Sequence, residues 1–122
     1  MWYDILEFHR KFQLPLPSKP KPLPKNLSDF RLKFLNEELN EYERALQLED
    51  YEGQLDALVD LVYVAMGTAA MQGYNFAEAW RRVHAANMSK VRAKSKDESK
   101  RNSEYDVVKP KNWKAPCLKN LV

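Results

Sequence analysis

Apolar residues recur along this chain at helical spacing. Trp2, Ile5, Leu6, Phe8, His9 and Phe12 follow a 3.6-residue period, which predicts a first helix over residues 2–13. Pro15, Pro17, Pro20, Pro22 and Pro24 then interrupt the pattern; alternating Pro and Lys over 14–26 predicts an extended, polyproline-like strap. Ser28 reads as an N-cap with Asp29 in the first turn, predicting a second helix over about 28–48. A third is expected from about 52 to 72, ended by Gly73. Asn75 with Glu78 three residues on opens a fourth to about residue 92. Residues 93–106 lack periodicity and read as a mobile loop. Tyr105, Val107, Val108, Trp113 and Leu118 around Pro110 and Pro116 suggest an irregular tail that docks on the body. The fold class expected is all-α: an antiparallel helical bundle of about four helices with a Pro-rich strap and an irregular C-terminal tail. Residues 1–122 read as one domain.

Several carboxylates break the apolar faces. On the second helix, Phe30, Phe34, Leu35, Leu39, Tyr42, Ala45 and Leu46 fill one arc. Glu38 falls near its middle, Glu41 inside it, and Glu37 on its boundary. On the third, only Asp56 and Asp60 are charged between Leu55 and Met66, which reads as a helix buried on nearly all sides. Asp56 and Asp60 share one face at i and i+4. Buried carboxylates are costly unless a positive group is near. Arg31, at the edge of the apolar arc, is one candidate, but one Arg does not neutralise four carboxylates. A divalent metal can bind several of them at once.

All-carboxylate ligands favour Mg²⁺, with Mn²⁺ as a substitute. A di-iron bundle would use Glu-x-x-His motifs, and the positions three before His9 and His84 hold Leu6 and Arg81. Cys117 is the only cysteine, so an internal disulfide and a multi-cysteine zinc site are excluded. No run approaches the roughly 18 apolar residues of a membrane span, and residues 1–7 lack the basic start of a signal peptide. The expectation is a cytoplasmic protein with no membrane partner.

The net charge of +3 is unevenly spread. Residues 28–60 sum to −7, while 1–27, 61–92 and 93–122 sum to +3, +3 and +4. A cation site beside a polyanion site fits this distribution, as do simply solvated helix faces. Phe76, Trp80, Val83, Asn87 and Lys90 follow one stripe of the fourth helix, apolar first and polar last, with Arg92 close behind.

Glu37-Glu38-Leu-Asn-Glu41 is an E-E-x-x-E motif, followed by Asp60 in an apolar helix and by Asn87-Met-Ser-Lys90. With Phe8-His9-Arg-Lys-Phe12, Arg31, the stretch from Asp60 through Tyr63 to Ala69, and Val108-Lys109-Pro110 before Trp113 and Pro116, nearly the whole chain resembles one family. It is similar to the all-α nucleoside triphosphate pyrophosphohydrolases, the MazG-like and phosphoribosyl-ATP pyrophosphohydrolase-like superfamily, and to its short members often encoded by phages. The resemblance implies Mg²⁺-dependent cleavage between the α- and β-phosphates of a nucleoside triphosphate, giving the monophosphate and pyrophosphate. It implies Glu38, Glu41 and Asp60 as metal ligands with Asp56 as a fourth, and Glu37 or one of the ligands as the group that orients or deprotonates water. Asn87 and Lys90 would bind phosphates, helped by Arg31 and Arg92, with Lys109 and Lys111 closing over them. His9 and Tyr63 would line a base or sugar pocket. It further implies a homo-oligomer, dimer or tetramer, in the host cytoplasm if phage-encoded. One position departs from the family's E-x-x-D: Ala57 stands three before Asp60, and Asp56 four before it.

The alternative reading is a non-catalytic helical module that binds nucleotides, or nucleic acid through its basic tail. Nucleic acid is the less expected partner, because a basic tail does not explain four carboxylates on apolar faces.

Overall fold

Three helices are strung between prolines and caps in the first part of the chain: α1 (Trp2–Lys11), α2 (Lys25–Gln47) and α3 (Tyr51–Met71). The computed structural model describes residues 1–122, and its contacts form two compact units, residues 1–76 with Val122 and residues 77–121. The fold class is all-α, as expected, with one two-stranded ribbon added.

In the first unit α2 and α3 make a helical hairpin, and α1 lies on α3. The α2–α3 turn closes where Glu49 takes a positive φ of 54° and Asp50 N donates to the Ala45 carbonyl at 2.9 Å. Asp50 is also the N-cap of α3, its Oδ1 accepting from Gly53 N at 2.9 Å. Gly53 leaves room for that carboxylate, because a Cβ there would collide with it. Helix α2 starts three residues before the Ser28 cap expected. Pro24, held at φ −55°, occupies the N-cap position, and Ser28 N already donates to the Pro24 carbonyl at 2.9 Å. Proline's fixed φ thus preempts the serine.

Helix α3 ends as its sequence predicts: Gly73 has φ +68°, and the strap passes so close that a Cβ would lie 2.7 Å from the Lys19 carbonyl. Ile5, Met66 and Ala70 are the centre of the core, covered by Trp2, Leu6, Leu16, Tyr63 and Phe76. Trp2 and Phe76 stack with centroids 5.3 Å apart.

Helix α3 is not buried on nearly all sides, contrary to the sequence-based expectation. Ala57, Val64, Met66, Gly67, Ala70 and Met71 are buried, whereas Leu55, Leu58, Val59 and Val62 are exposed. The helix is long and apolar enough to cross a membrane by length and mean hydropathy. It also carries Glu52, Asp56 and Asp60. Apolar patterning marks the face that avoids water, not what covers it.

Helix α4 (Phe76–Met88), in the second unit from Ala77 on, stops four residues short of the expected end. Ser89 N and Lys90 N donate to the Ala86 and Asn87 carbonyls, tightening the last turn, and the chain then enters a ribbon. Strand β1 (Val91–Arg92) pairs antiparallel with β2 (Val107–Val108). Residues 93–106 between them are aperiodic yet organised. Ser99 is buried, and the Asp106 carboxylate accepts from Ser99 Oγ at 2.7 Å and Arg101 Nη1 at 2.9 Å. Trp113 anchors the tail, its Nε1 donating to the Ala86 carbonyl at 2.7 Å.

Candidate active site

Glu38 is the carboxylate the fold singles out. It is 8% exposed on α2, and its Oε2 has no hydrogen-bond partner. Burial pushes its pKa up from the ordinary value, and the charges of Glu41, Asp60 and Glu37, with a hydrogen bond shared with the Glu41 side chain, push it the same way. Glu38 and Asp60 line one cleft of about 310 Å³ with Phe8, Phe34, Tyr63 and Val64. A carboxylate pair therefore sits at one side of an aromatic-walled space. Phe8 meets Tyr63 edge-on at 5.4 Å, which fixes the wall formed by α1 and α3.

The remaining predicted ligands are placed differently from one another. Glu41 is exposed rather than inside the apolar arc, yet near enough for its charge to act on Glu38. Glu37 is exposed beside it. Asp56 is exposed and lines a separate small cleft with Asp50, Glu52 and Gly53. One helical turn separates Asp56 from Asp60, and the two open into different clefts. No three His, Cys, Asp or Glu side chains are drawn together as a finished ligand set. The donor chemistry nonetheless fits a hard divalent cation. Several like-charged carboxylates act on one another, and one buried oxygen among them is unpaired.

Arg31 does not neutralise those carboxylates. Its guanidinium is buried, donating from Nη2 to the Val64 carbonyl at 2.8 Å and from Nε to Thr68 Oγ1 at 3.0 Å. Its charge sits against α3, next to His9. Gly67 makes this possible: a Cβ there would stand 2.9 Å from Arg31 Nη2 and 3.0 Å from His9 Nε2. His9 is 2% exposed, and burial together with the Arg31 charge lowers its pKa, the Pro15 backbone opposing in part. His9 is not among the residues lining the aromatic cleft, whereas Tyr63 is.

Asn87, Lys90, Arg92 and Lys109 all belong to the second unit. Asn87 is exposed in the last turn of α4. Arg92, on β1, stacks over Tyr105 at 5.7 Å and donates from Nε to the Glu104 carbonyl. Lys90 and Lys109 share a cleft of about 460 Å³, and both ammonium groups lie over the Trp113 ring, at 5.3 and 4.8 Å from its centroid.

Sequence reasoning overlooked Phe34 and Val64 as site walls, and Gly67 and Thr68 as what seats Arg31. Spacing held a signal for the first two, since Phe34 lies one turn before Glu38 and Val64 one turn after Asp60.

A family model described as phosphoribosyl-ATP pyrophosphohydrolase matches residues 5–87, which include Glu37, Glu38, Glu41, Asp56 and Asp60. No curated protein matches the chain.

Proposed function

The chain belongs to the phosphoribosyl-ATP pyrophosphohydrolase family, and on that premise we propose that it cleaves a nucleoside triphosphate between its α- and β-phosphates. The family lies within the MazG-like all-α nucleoside triphosphate pyrophosphohydrolase superfamily, and the chain is a hydrolase of phosphoric anhydride bonds. The observation that carries the proposal is Glu38, buried with an unpaired oxygen and sharing an aromatic-walled cleft with Asp60.

Glu38, Glu41 and Asp60 would hold Mg²⁺, with Mn²⁺ as a substitute. When bound, the cation polarises phosphoryl oxygens and lowers the pKa of coordinated water. Asp56, in its own cleft, stands outside this set. Glu37, exposed next to Glu38, is suited to orient the attacking water and take its proton. The water oxygen joins one phosphorus, and the bridging oxygen leaves with the other, giving a nucleoside monophosphate and pyrophosphate. Phe8, Phe34 and Tyr63 offer ring faces to a base or sugar. Asn87, Lys90, Arg92 and Lys109 are the proposed phosphate-binding cations and amide. Arg31, committed to Val64 and Thr68, positions α2 on α3 rather than binding substrate.

A homo-oligomer is part of the proposal. Leu58, Val59 and Val62 with Ile5 and Met66 line an apolar cleft of about 400 Å³ on the first unit, a surface suited to a second copy.

The test is product identification across ribo- and deoxyribonucleoside triphosphates and phosphoribosyl-ATP with Mg²⁺ or Mn²⁺. Monophosphate and pyrophosphate together support the reading and identify the substrate. Diphosphate and orthophosphate, or no turnover of any of them, would refute it.

A further inference from the structure

Two walls of the aromatic cleft are tied to one buried side chain that does not itself line it. Arg31, 7% exposed, stands one helical turn before Phe34 and two before Glu38 on α2. Its guanidinium carbon lies over the Phe34 ring, 5.4 Å from the centroid. Its Nη2 donates to the Val64 carbonyl at 2.8 Å, and its Nε to Thr68 Oγ1 at 3.0 Å. Phe34 and Val64 both line the cleft of about 310 Å³. A third wall, Phe8, precedes His9 in α1, and His9 Nε2 closes over Gly67 together with Arg31 Nη2.

A phenylalanine ring has a broad χ2 preference, so its neighbours decide which way its face points. Phe34 is half-buried and has two such neighbours on its own helix, Arg31 over the ring and Phe30, whose ring meets it edge to face at 5.8 Å. Phe30 is 52% exposed and a loose clamp. Arg31 is the rigid one. Two hydrogen bonds fix the guanidinium plane to α3, and Thr68 Oγ1 in turn donates to the Val64 carbonyl at 2.7 Å. Neither bond reaches a carboxylate, and no ion pair joins Arg31 to one. Its contacts shape the aromatic end of the cleft and leave Glu38 and Asp60 untouched.

We propose that Arg31 is a positioning residue that sets the affinity of this cleft, by holding the Phe34 ring as a ready surface for the base or sugar of a nucleotide. The inference rests on the reading that the cleft takes a nucleotide, and adds a residue that acts on it only through Phe34. Without Arg31 the ring is free to turn, and ordering it on stacking then costs binding free energy. The effect falls on binding and not on the chemical step, because the guanidinium contacts a ring, a carbonyl and a hydroxyl and none of the carboxylates. Lysine is no substitute: it lacks the planar fork that meets Val64, Thr68 and Phe34 together.

The experiment is calorimetric titration of the α,β-imido analogues of the four common deoxynucleoside triphosphates, with Mg²⁺, into the full chain. Arg31→Met and Phe34→Leu should each weaken binding of the preferred analogue about fivefold to tenfold, the scale of one aromatic contact. The double variant should bind within about twofold of the weaker single variant, because Arg31 acts through Phe34. Thr68→Val removes only the acceptor of Arg31 Nε and should weaken binding about twofold to threefold; it carries the test if Arg31→Met does not fold. The readout needs no turnover. A chain that binds an analogue but hydrolyses none of the parent nucleotides would refute the proposed reaction while these affinities still decide the role of Arg31. Any of the following overturns the proposal: no analogue bound by wild type, affinity unchanged in the variants while their melting temperatures fall, or losses in Arg31→Met and Phe34→Leu that simply multiply.

Discussion

Glu38 on α2 and Asp60 on α3 line the same cleft from the two arms of one helical hairpin, and the Asp60 charge helps hold Glu38 above its ordinary pKa. A hydrophobic core has no use for such a pair. Two carboxylates beside Phe8, Phe34 and Val64 lose hydration and repel each other. A proton on Glu38 relieves both effects at low pH, and a bound cation relieves them with both carboxylates ionised.

Replacing Glu38 separates stability from function. Its raised pKa means that the folded state binds its proton more tightly than the unfolded chain. The associated stability is full below the ordinary value of about 4.5 and is lost as pH rises through the raised folded value. Glu38→Gln should therefore melt higher than wild type at pH 7 without metal, and the difference should shrink toward pH 4.5. Calorimetric scans at several pH values check this.

Asp56 and Asp60 should behave unlike each other despite standing one turn apart. Asp60 shares the Glu38 cleft, and Asp56 opens into another. Asp60→Asn is expected to lower kcat by about 100-fold or more, the scale of losing a charge that acts on the transition state. Asp56→Asn should stay within about threefold of wild type. Steady-state kinetics of the two variants side by side decides the matter.

Gly67→Ala tests the seat of Arg31. The new methyl would press on Arg31 Nη2 and His9 Nε2, and the guanidinium cannot yield without leaving Val64. Overpacking of this kind costs about 1–3 kcal/mol, more than the roughly 1 kcal/mol that Ala gains over Gly in a helix. Urea denaturation should show a net loss that Arg31→Met reduces in a double-mutant cycle.

The Asp50 cap has a smaller, local effect. Asp50→Ala leaves Gly53 N without its acceptor and should cost about 1 kcal/mol by urea denaturation. Asp50→Asn should recover most of it.

Much of this architecture is legible in the sequence. Helical period placed α1, α2 and α3 within a few residues, Gly73 marked the end of α3, and Glu38 stood out because it interrupts an apolar arc. Where the reading failed, the deciding force was one that periodicity does not carry. Pro24 starts α2 through its fixed φ, ahead of the better-looking Ser28. Residues 93–106 read as a mobile loop because hydrogen bonds among Ser99, Arg101 and Asp106 leave no hydropathy signal. Leu55, Leu58, Val59 and Val62 looked like core because apolar character does not say which surface will cover it. Arg31 looked like a neutralising partner because only the fold shows that Val64 and Thr68 hold it.

Pyrophosphate release from the preferred nucleoside triphosphate, measured against Mg²⁺ concentration for wild type and Glu38→Gln, decides whether Glu38 builds a metal site. Wild type should be inactive in EDTA and saturate with Mg²⁺, and its melting temperature should rise with the metal. Glu38→Gln should lose both responses while remaining folded. Metal-independent release by wild type, or full Mg²⁺-dependent turnover by Glu38→Gln, would contradict a metal site built on Glu38.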